Sequence, residues 1–250
     1  MKKTWQTALV VGASSGIGAA LVKRLAAQGC RVAAVARRQE ELENLVVGAE
    51  STGGGGTVLP FVSDVRDIQA IPGLFEKIAG DLGGLDLVIY AAGVMHAVQF
   101  EEYDTAKDLE MLETNLSGAV AWLNPAAQRF GRLKRGTIVG IGSVAGDRGR
   151  SGSPVYNTSK AGLHTYLEAL RNRVGRYGVK VVTIKPGFVD TPMTRGMEGL
   201  FWLISADRAA EIILKKARKG VVTAYVPARW RLVMAIIRSI PSCVFRYLRV

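Results

Sequence analysis

Cysteine and histidine are almost missing from this chain. Its 250 residues contain two of each, Cys30 and Cys243, His96 and His164. The cysteines stand far apart, with no CxxC pair and no histidine cluster beside them, which excludes a disulfide framework and a structural zinc site as organising principles. No metal is expected, because two histidines also argue against a His-based catalytic centre. No apolar run reaches the roughly 18 residues of a membrane-spanning helix. Met1-Lys2-Lys3 followed by Ala8-Leu9-Val10-Val11 is too short in its apolar part for a secretory leader, which needs roughly 7 to 15 residues, and it breaks into Gly12-Ala13-Ser14-Ser15-Gly16. Disorder is excluded as well, since 48% of the residues are hydrophobic. Chemistry must therefore rest on other side chains or on a bound cofactor.

Acidic residues are absent after Glu211. Beyond it lie Lys215, Lys216, Arg218, Lys219, Arg229, Arg231, Arg238, Arg246 and Arg249, nine cations that leave the first 211 residues with only +3 of the net +12. The chain is divided accordingly into a body, 1–228, and a basic amphipathic tail, 229–250. On a helical wheel Arg231, Arg238, Arg246 and Arg249 share one face and Val233, Ile237, Ile240 and Val244 the opposite one, provided that Pro241 leaves the register intact. Such a segment resembles an interfacial membrane helix. The competing reading is a terminal helix packed on the substrate pocket or on a neighbouring subunit. No nucleic-acid-binding motif accompanies the charge, so nucleic acid is not an expected partner.

What is present is a rhythm. Short apolar runs at 7–11, 31–36, 57–62, 85–90, 136–141, 179–185 and 223–226 read as strands buried on both faces. Helical patterns at 16–27, 39–50, 67–81, 104–130, 155–177 and 207–219 separate them. The alternation predicts one α/β domain, a doubly wound Rossmann-type parallel sheet of about seven strands with helices on both faces. Ser51-Thr52-Gly53-Gly54-Gly55-Gly56 is read as a flexible connection, since no helix start follows it. Residues 191–205, with Leu200-Phe201-Trp202-Leu203-Ile204, are expected to cover whatever lies at the carboxyl ends of the strands.

The first strand runs into Gly12-Ala13-Ser14-Ser15-Gly16-Ile17-Gly18, a glycine-rich turn that opens a helix. Glycine allows close backbone approach, and the helix start offers free N–H groups and a positive dipole end to a pyrophosphate. The spacing Gly-x3-Gly-x-Gly resembles that of the short-chain dehydrogenase/reductase family. Tyr156-Asn157-Thr158-Ser159-Lys160 matches its Tyr-x3-Lys motif, Ser143 lies upstream in Ile141-Gly142-Ser143, and Asn115 sits in a helix at a suitable position. Pro186-Gly187, with Val189 and Thr191, follows a strand as the family's nicotinamide-side loop does. Asp64-Val65 resembles its adenine-side contact, and Ala92-Gly93 its turn after the fourth strand. One departure is Tyr90-Ala91 where the family commonly has two asparagines, so packing there must differ.

The residue types suit the chemistry. Tyr156 and Lys160, at i and i+4, share a helix face. A phenol with an ordinary pKa near 10 is a poor base, and a nearby ammonium favours its phenolate. Tyr156 could then exchange a proton with a substrate oxygen that Ser143 also holds. The resemblance implies that Asn115 orders a water which, with Lys160, relays the proton. The second strand ends Val35-Ala36-Arg37-Arg38 without an acid, which favours NADP(H) over NAD(H), because arginines suit a phosphate dianion. His164 is assigned to packing or an interface; His96 is placed either there or at the edge of the cleft.

The expected activity is interconversion of a carbonyl and a secondary alcohol on an apolar small molecule. The rival reading is a non-catalytic dinucleotide-binding or scaffold protein that retains the fold. The tail also resembles that of a family member acting on a lipid-linked keto sugar, which points toward a lipid-like substrate. The resemblance implies a homodimer or homotetramer through the long helices. The expected location is the cytoplasm, with the tail able to reach the inner face of the membrane.

Overall fold

The computed structural model describes residues 5–50 and 53–248. Residues 1–4, Ser51 and Thr52 of the glycine-rich connection, and Arg249 and Val250 of the tail lie outside the described residues. Strands β1 (Thr7–Val11), β2 (Arg31–Ala36), β3 (Val58–Val62), β4 (Leu87–Tyr90), β5 (Thr137–Ile141) and β6 (Lys180–Pro186) come first, and β7 (Val189–Asp190), β8 (Ile204–Ser205) and β9 (Thr223–Val226) follow. Seven of them form one parallel sheet in the order β3-β2-β1-β4-β5-β6-β9.

Apolar side chains line both faces of this sheet. In β1, Ala8 and Val10 face one core with helices α1 (Gly16–Ala26), α2 (Gln39–Glu50) and α7 (Ala206–Lys219). Leu9 and Val11 face the other, with α3 (Ile71–Asp81), α5 (Gly118–Leu133) and α6 (Pro154–Val174). This alternation at period two, apolar on both sides, is what a sheet sandwiched between two helical layers requires. The strand order reverses between β1 and β4, so their carboxyl ends splay connections to opposite sides and open a crevice.

The predicted helix over 104–130 is interrupted. It consists of α4 (Thr105–Leu112), a π-helical turn at Glu113–Ser117, and α5. Such insertions occur frequently at functional sites. The tail also departs from expectation, because Pro241 breaks the register. Ile240 is extended, as the residue before a proline prefers, and two helices result, α8 (Trp230–Ser239) and α9 (Ser242–Phe245).

The apolar face of α8 is divided. Trp230 and Met234 are buried against Val144 and Phe188, with Val233 and Ile237 partly so, while Leu232 and Ile236 are 70% and 58% exposed. Arg148 holds the segment on the body. Its guanidinium donates to the carbonyls of Arg238 and Ile240 at 3.1 and 2.9 Å and lies over the Phe245 ring. No helix among the described residues is long and apolar enough to cross a membrane.

Candidate active site

A cleft of about 690 Å³ opens at the crevice between β1 and β4. At one end lie Gly12, Ser14, Ser15, Gly16, Ile17 and Gly18, where β1 turns into α1. A Cβ on Gly12 would come within 2.3 Å of the Ala92 backbone nitrogen, and one on Gly18 within 2.0 Å of the Gly12 carbonyl oxygen. Gly12 also has φ +87°. The turn is thus closed down on itself and on the strand beside it, leaving the amides at the start of α1 facing the cleft as a cradle for phosphates.

Arg38 donates to the hydroxyls of both Ser14 and Ser15, at 2.8 and 3.0 Å. Arg37 lies 3.8 Å from Asp64 and 4.0 Å from Glu110. Both arginines line the cleft, as do Val65, Ala92, Gly93, Pro186, Gly187, Val189 and Thr191. Asp64 does not reach the wall. Arg66 binds it through the guanidinium at 2.8 Å and, with burial opposing and Arg37 assisting, holds its carboxyl below the usual range. Its neighbours Ser63 and Val65 face the cleft in its place.

Ser143, Tyr156 and Lys160 converge on the cleft from two elements. Ser143 caps a 3-10 turn, Val144–Asp147, by accepting from the Ala145 amide at 3.1 Å. Tyr156 and Lys160 lie one turn apart on α6. The Lys160 ammonium donates to the Ile141 carbonyl at 3.2 Å and sits 5.7 Å from the centre of the Tyr156 ring. Burial raises the phenol pKa above its ordinary 10, while the Ser143 hydroxyl and the Arg150 guanidinium pull the other way. The sequence assigned that second role to Lys160; in the structure Ser143 and Arg150 act on the phenol.

Burial lowers Lys160 itself to about 8 from an ordinary 10.5. In that interval the unfolded chain holds more protons than the folded one, so the buried amine destabilises the fold most below pH 8, by about 3 kcal/mol for a shift of this size. Lys160→Met should accordingly raise the thermal midpoint at pH 7, with the gain shrinking as pH rises from 8 toward 10.5. Thermal melts of both proteins at pH 7 and 10 check this, and a lower midpoint for the variant at pH 7 would contradict it.

Asn115 does not line the cleft. The π-helical turn presents it inward, fully buried, where its side chain accepts from the Val94 amide at 2.7 Å and donates to the Val94 carbonyl at 2.9 Å and the Ser159 hydroxyl at 3.0 Å. The amide therefore clamps the segment after β4 to α6. Tyr90, standing in place of a family asparagine, reinforces the clamp, since its buried hydroxyl donates to the Thr114 carbonyl at 2.5 Å.

The chain matches the family model described as short chain dehydrogenase over residues 6–198. It belongs to the short chain dehydrogenase family. An uncharacterized oxidoreductase of Myxococcus xanthus is 38% identical over 191 residues, 76% of this chain and 75% of that one. The 3-oxoacyl-[acyl-carrier-protein] reductase of Bos taurus is 35% identical over 190 residues, covering 75% and 77%. Among solved structures, a short-chain alcohol dehydrogenase described as putative, from Sinorhizobium meliloti 1021, superposes with a TM-score of 0.71 at 32% identity over 77% of this chain and 76% of that one. A short-chain dehydrogenase from Sphingobium yanoikuyae, in complex with NADPH, shares the fold with a TM-score of 0.81 at 23% identity, covering 94% and 96%. The tail lies outside the matched family region, and its resemblance to the enzyme of a lipid-linked sugar finds no support in these relatives.

Met95, Phe188, Met193, Met197 and Trp230 give this short chain dehydrogenase's cleft an apolar wall. Met193 and Met197 belong to the loop expected to cover the strand ends, and Trp230 to the tail whose packing on the pocket was the competing reading; Met95 and Phe188 were not foreseen. Farther along the same loop Phe201 and Trp202, half exposed, pack on the wall residues Phe188 and Trp230, while β7 pairs with β8 to hold the base of the loop. His96 lines the cleft and meets Glu110 at 2.8 Å. Behind Ser143, the buried carboxylate of Asp147 binds Lys185, accepts from the Tyr225 hydroxyl at 2.6 Å and lies 3.8 Å from His164. His164, pushed by burial down to about 3 and hence neutral, accepts from the Ser143 amide at 3.4 Å. Asp147 and Lys185 stand 38 residues apart, so no local signal in the sequence announces this network.

Proposed function

We propose that this short chain dehydrogenase reduces a carbonyl to a secondary alcohol with NADP(H), on a largely apolar small molecule. The observation that carries this reading is the convergence of Ser143, Tyr156 and Lys160 on one cleft, between a phosphate cradle and an apolar wall. A bound nicotinamide would supply the hydride. Ser143 and Tyr156 would hold the substrate oxygen, and Tyr156 would give it the proton. A phenol kept protonated by burial suits that direction, because reduction needs an acid at the oxygen. Lys160, buried beside the ring, would resupply the proton, and Asn115 would position the segment around Gly93. The arginines on Ser14, Ser15 and the end of β2 favour a 2'-phosphate and hence NADP(H) over NAD(H). The relative in cattle, a reductase of 3-oxoacyl groups, accords with a keto substrate on an apolar chain. A screen of apolar ketones with both nicotinamide cofactors, read at the absorbance band of the reduced form, tests the proposal. A non-catalytic scaffold would show no oxidation of either cofactor. A homodimer or homotetramer through the long helices belongs to the same reading.

We also propose that the tail brings the protein to an anionic bilayer. Leu232 and Ile236 face outward on α8 beside Arg231 and Arg238, and Val244 and Tyr247 are exposed on the segment that follows. Each cation near a charged surface contributes about 1 kcal/mol, which salt screens. Cosedimentation with anionic vesicles should therefore occur at low salt, weaken at high salt, and be lost in Leu232→Glu/Ile236→Glu. Absence of binding by the wild type at low salt would leave α8 a packed terminal helix.

A further inference from the structure

Among the described residues Arg150 is a cation without a partner. It lies on the loop between Ser143 and Tyr156, partly buried in the wall of the cleft, and among the described residues its guanidinium meets no carboxylate and no hydrogen-bond acceptor. Asp147, the acid nearest to it in sequence, is committed to Lys185 and Tyr225. No aspartate or glutamate among the described residues lines the cleft. A charge drawn partly out of water without a counter-ion is costly to keep, so its persistence calls for a ligand that balances it. A second donor in the same cleft is also unsatisfied. The Trp230 indole is 4% exposed, lies against Gly187, and its N–H has no acceptor among the described residues.

We propose that Arg150 anchors an anionic group of the substrate, a carboxylate or phosphate carried a few bonds from the reacting carbonyl, with the apolar remainder lying along Met193, Met197 and Trp230. The inference rests on the carbonyl–alcohol reading above and narrows its substrate class to amphiphilic anions. The subsite adjoins the reacting centre, because the Arg150 charge acts on the Tyr156 phenol in favour of the phenolate. An anion on Arg150 would cancel that influence and keep the proton on Tyr156, which is the state a reduction uses. Substrate binding would thus prime the acid. The guanidinium also offers paired donors, which match the oxygens of either anion.

The test compares kcat/KM with NADPH for two pairs of ketones, a medium-chain 4-oxo acid against its methyl ester and a phosphorylated hydroxyketone against its unphosphorylated parent. Wild type, Arg150→Met and Arg150→Lys are measured alike. The anionic member of at least one pair should be preferred by wild type on the order of ten- to a hundredfold, as a charge-assisted hydrogen bond provides. Arg150→Met should bring that ratio close to one, whatever happens to the absolute rates, and Arg150→Lys should restore part of it. The pair that responds distinguishes carboxylate from phosphate. Turnover by wild type without charge preference, or a preference that survives in Arg150→Met, overturns the inference while leaving the carbonyl–alcohol reading intact. No turnover of any of the four ketones overturns both.

Discussion

Replacing Tyr156 by phenylalanine should lower kcat for ketone reduction by about 10²- to 10⁴-fold, the usual contribution of a positioned acid, while the affinity for NADPH stays nearly constant. The substitution removes one hydroxyl from a ring that is 8% exposed and packed against Met111 and Ala145, so the ring's packing survives. What disappears is the proton donor beside the Ser143 hydroxyl. Serine cannot replace it, because an aliphatic hydroxyl is a far weaker acid than a phenol. Single-turnover oxidation of bound NADPH and fluorescence titration of the cofactor separate the two quantities. Wild-type turnover in the variant would remove Tyr156 from the chemistry.

The second large effect is expected at the end of β2. Neutral replacement of Arg37 and Arg38 together should weaken NADPH by about 10²- to 10⁴-fold more than NADH, at 1.5 to 3 kcal/mol for each charged contact to the phosphate. The two arginines should not contribute equally. Arg37 lies within 4.0 Å of two carboxylates, Asp64 and Glu110, which offset part of its charge toward a third anion. Arg38 meets a single carboxylate, Glu41 at 3.7 Å, and otherwise donates to the neutral hydroxyls of Ser14 and Ser15 at the phosphate cradle, so the single variant Arg38→Ala should carry the greater share. Titration of both cofactors against the two single variants and the double variant checks this. Equal losses for NADPH and NADH would show that neither arginine meets the 2'-phosphate.

The parallel sheet was readable in the sequence because its strands are buried on both faces and announce themselves as unbroken apolar runs. The glycine turn was readable for a similar reason, since Gly12 and Gly18 occupy places that a Cβ cannot enter. Where partners are remote in the chain, the pattern was silent. Asp147 finds Lys185, Tyr225 and His164 through folding alone, and nothing local distinguishes Arg150 from an ordinary surface arginine. The π-helical turn at Asn115 was hidden because one inserted residue barely disturbs a helical stripe. In the tail, a wheel drawn through Pro241 merged two helices into one and placed Val244 on a face that the chain does not build. Trp230 lines the cleft, as the competing reading of the tail, a terminal helix packed on the substrate pocket, allowed without naming the residue.

The central claim is that a hydride passes between NADPH and a carbonyl carbon in the cleft shared by Ser143, Tyr156 and Lys160. Its most direct test is to incubate the enzyme with NADPH deuterated at the transferring position of nicotinamide C4 and the ketones that support cofactor oxidation, then to locate deuterium in the product. The account predicts one deuterium on the new carbinol carbon of a single stereoisomer. Consumption of NADPH with no deuterium on that carbon would contradict it.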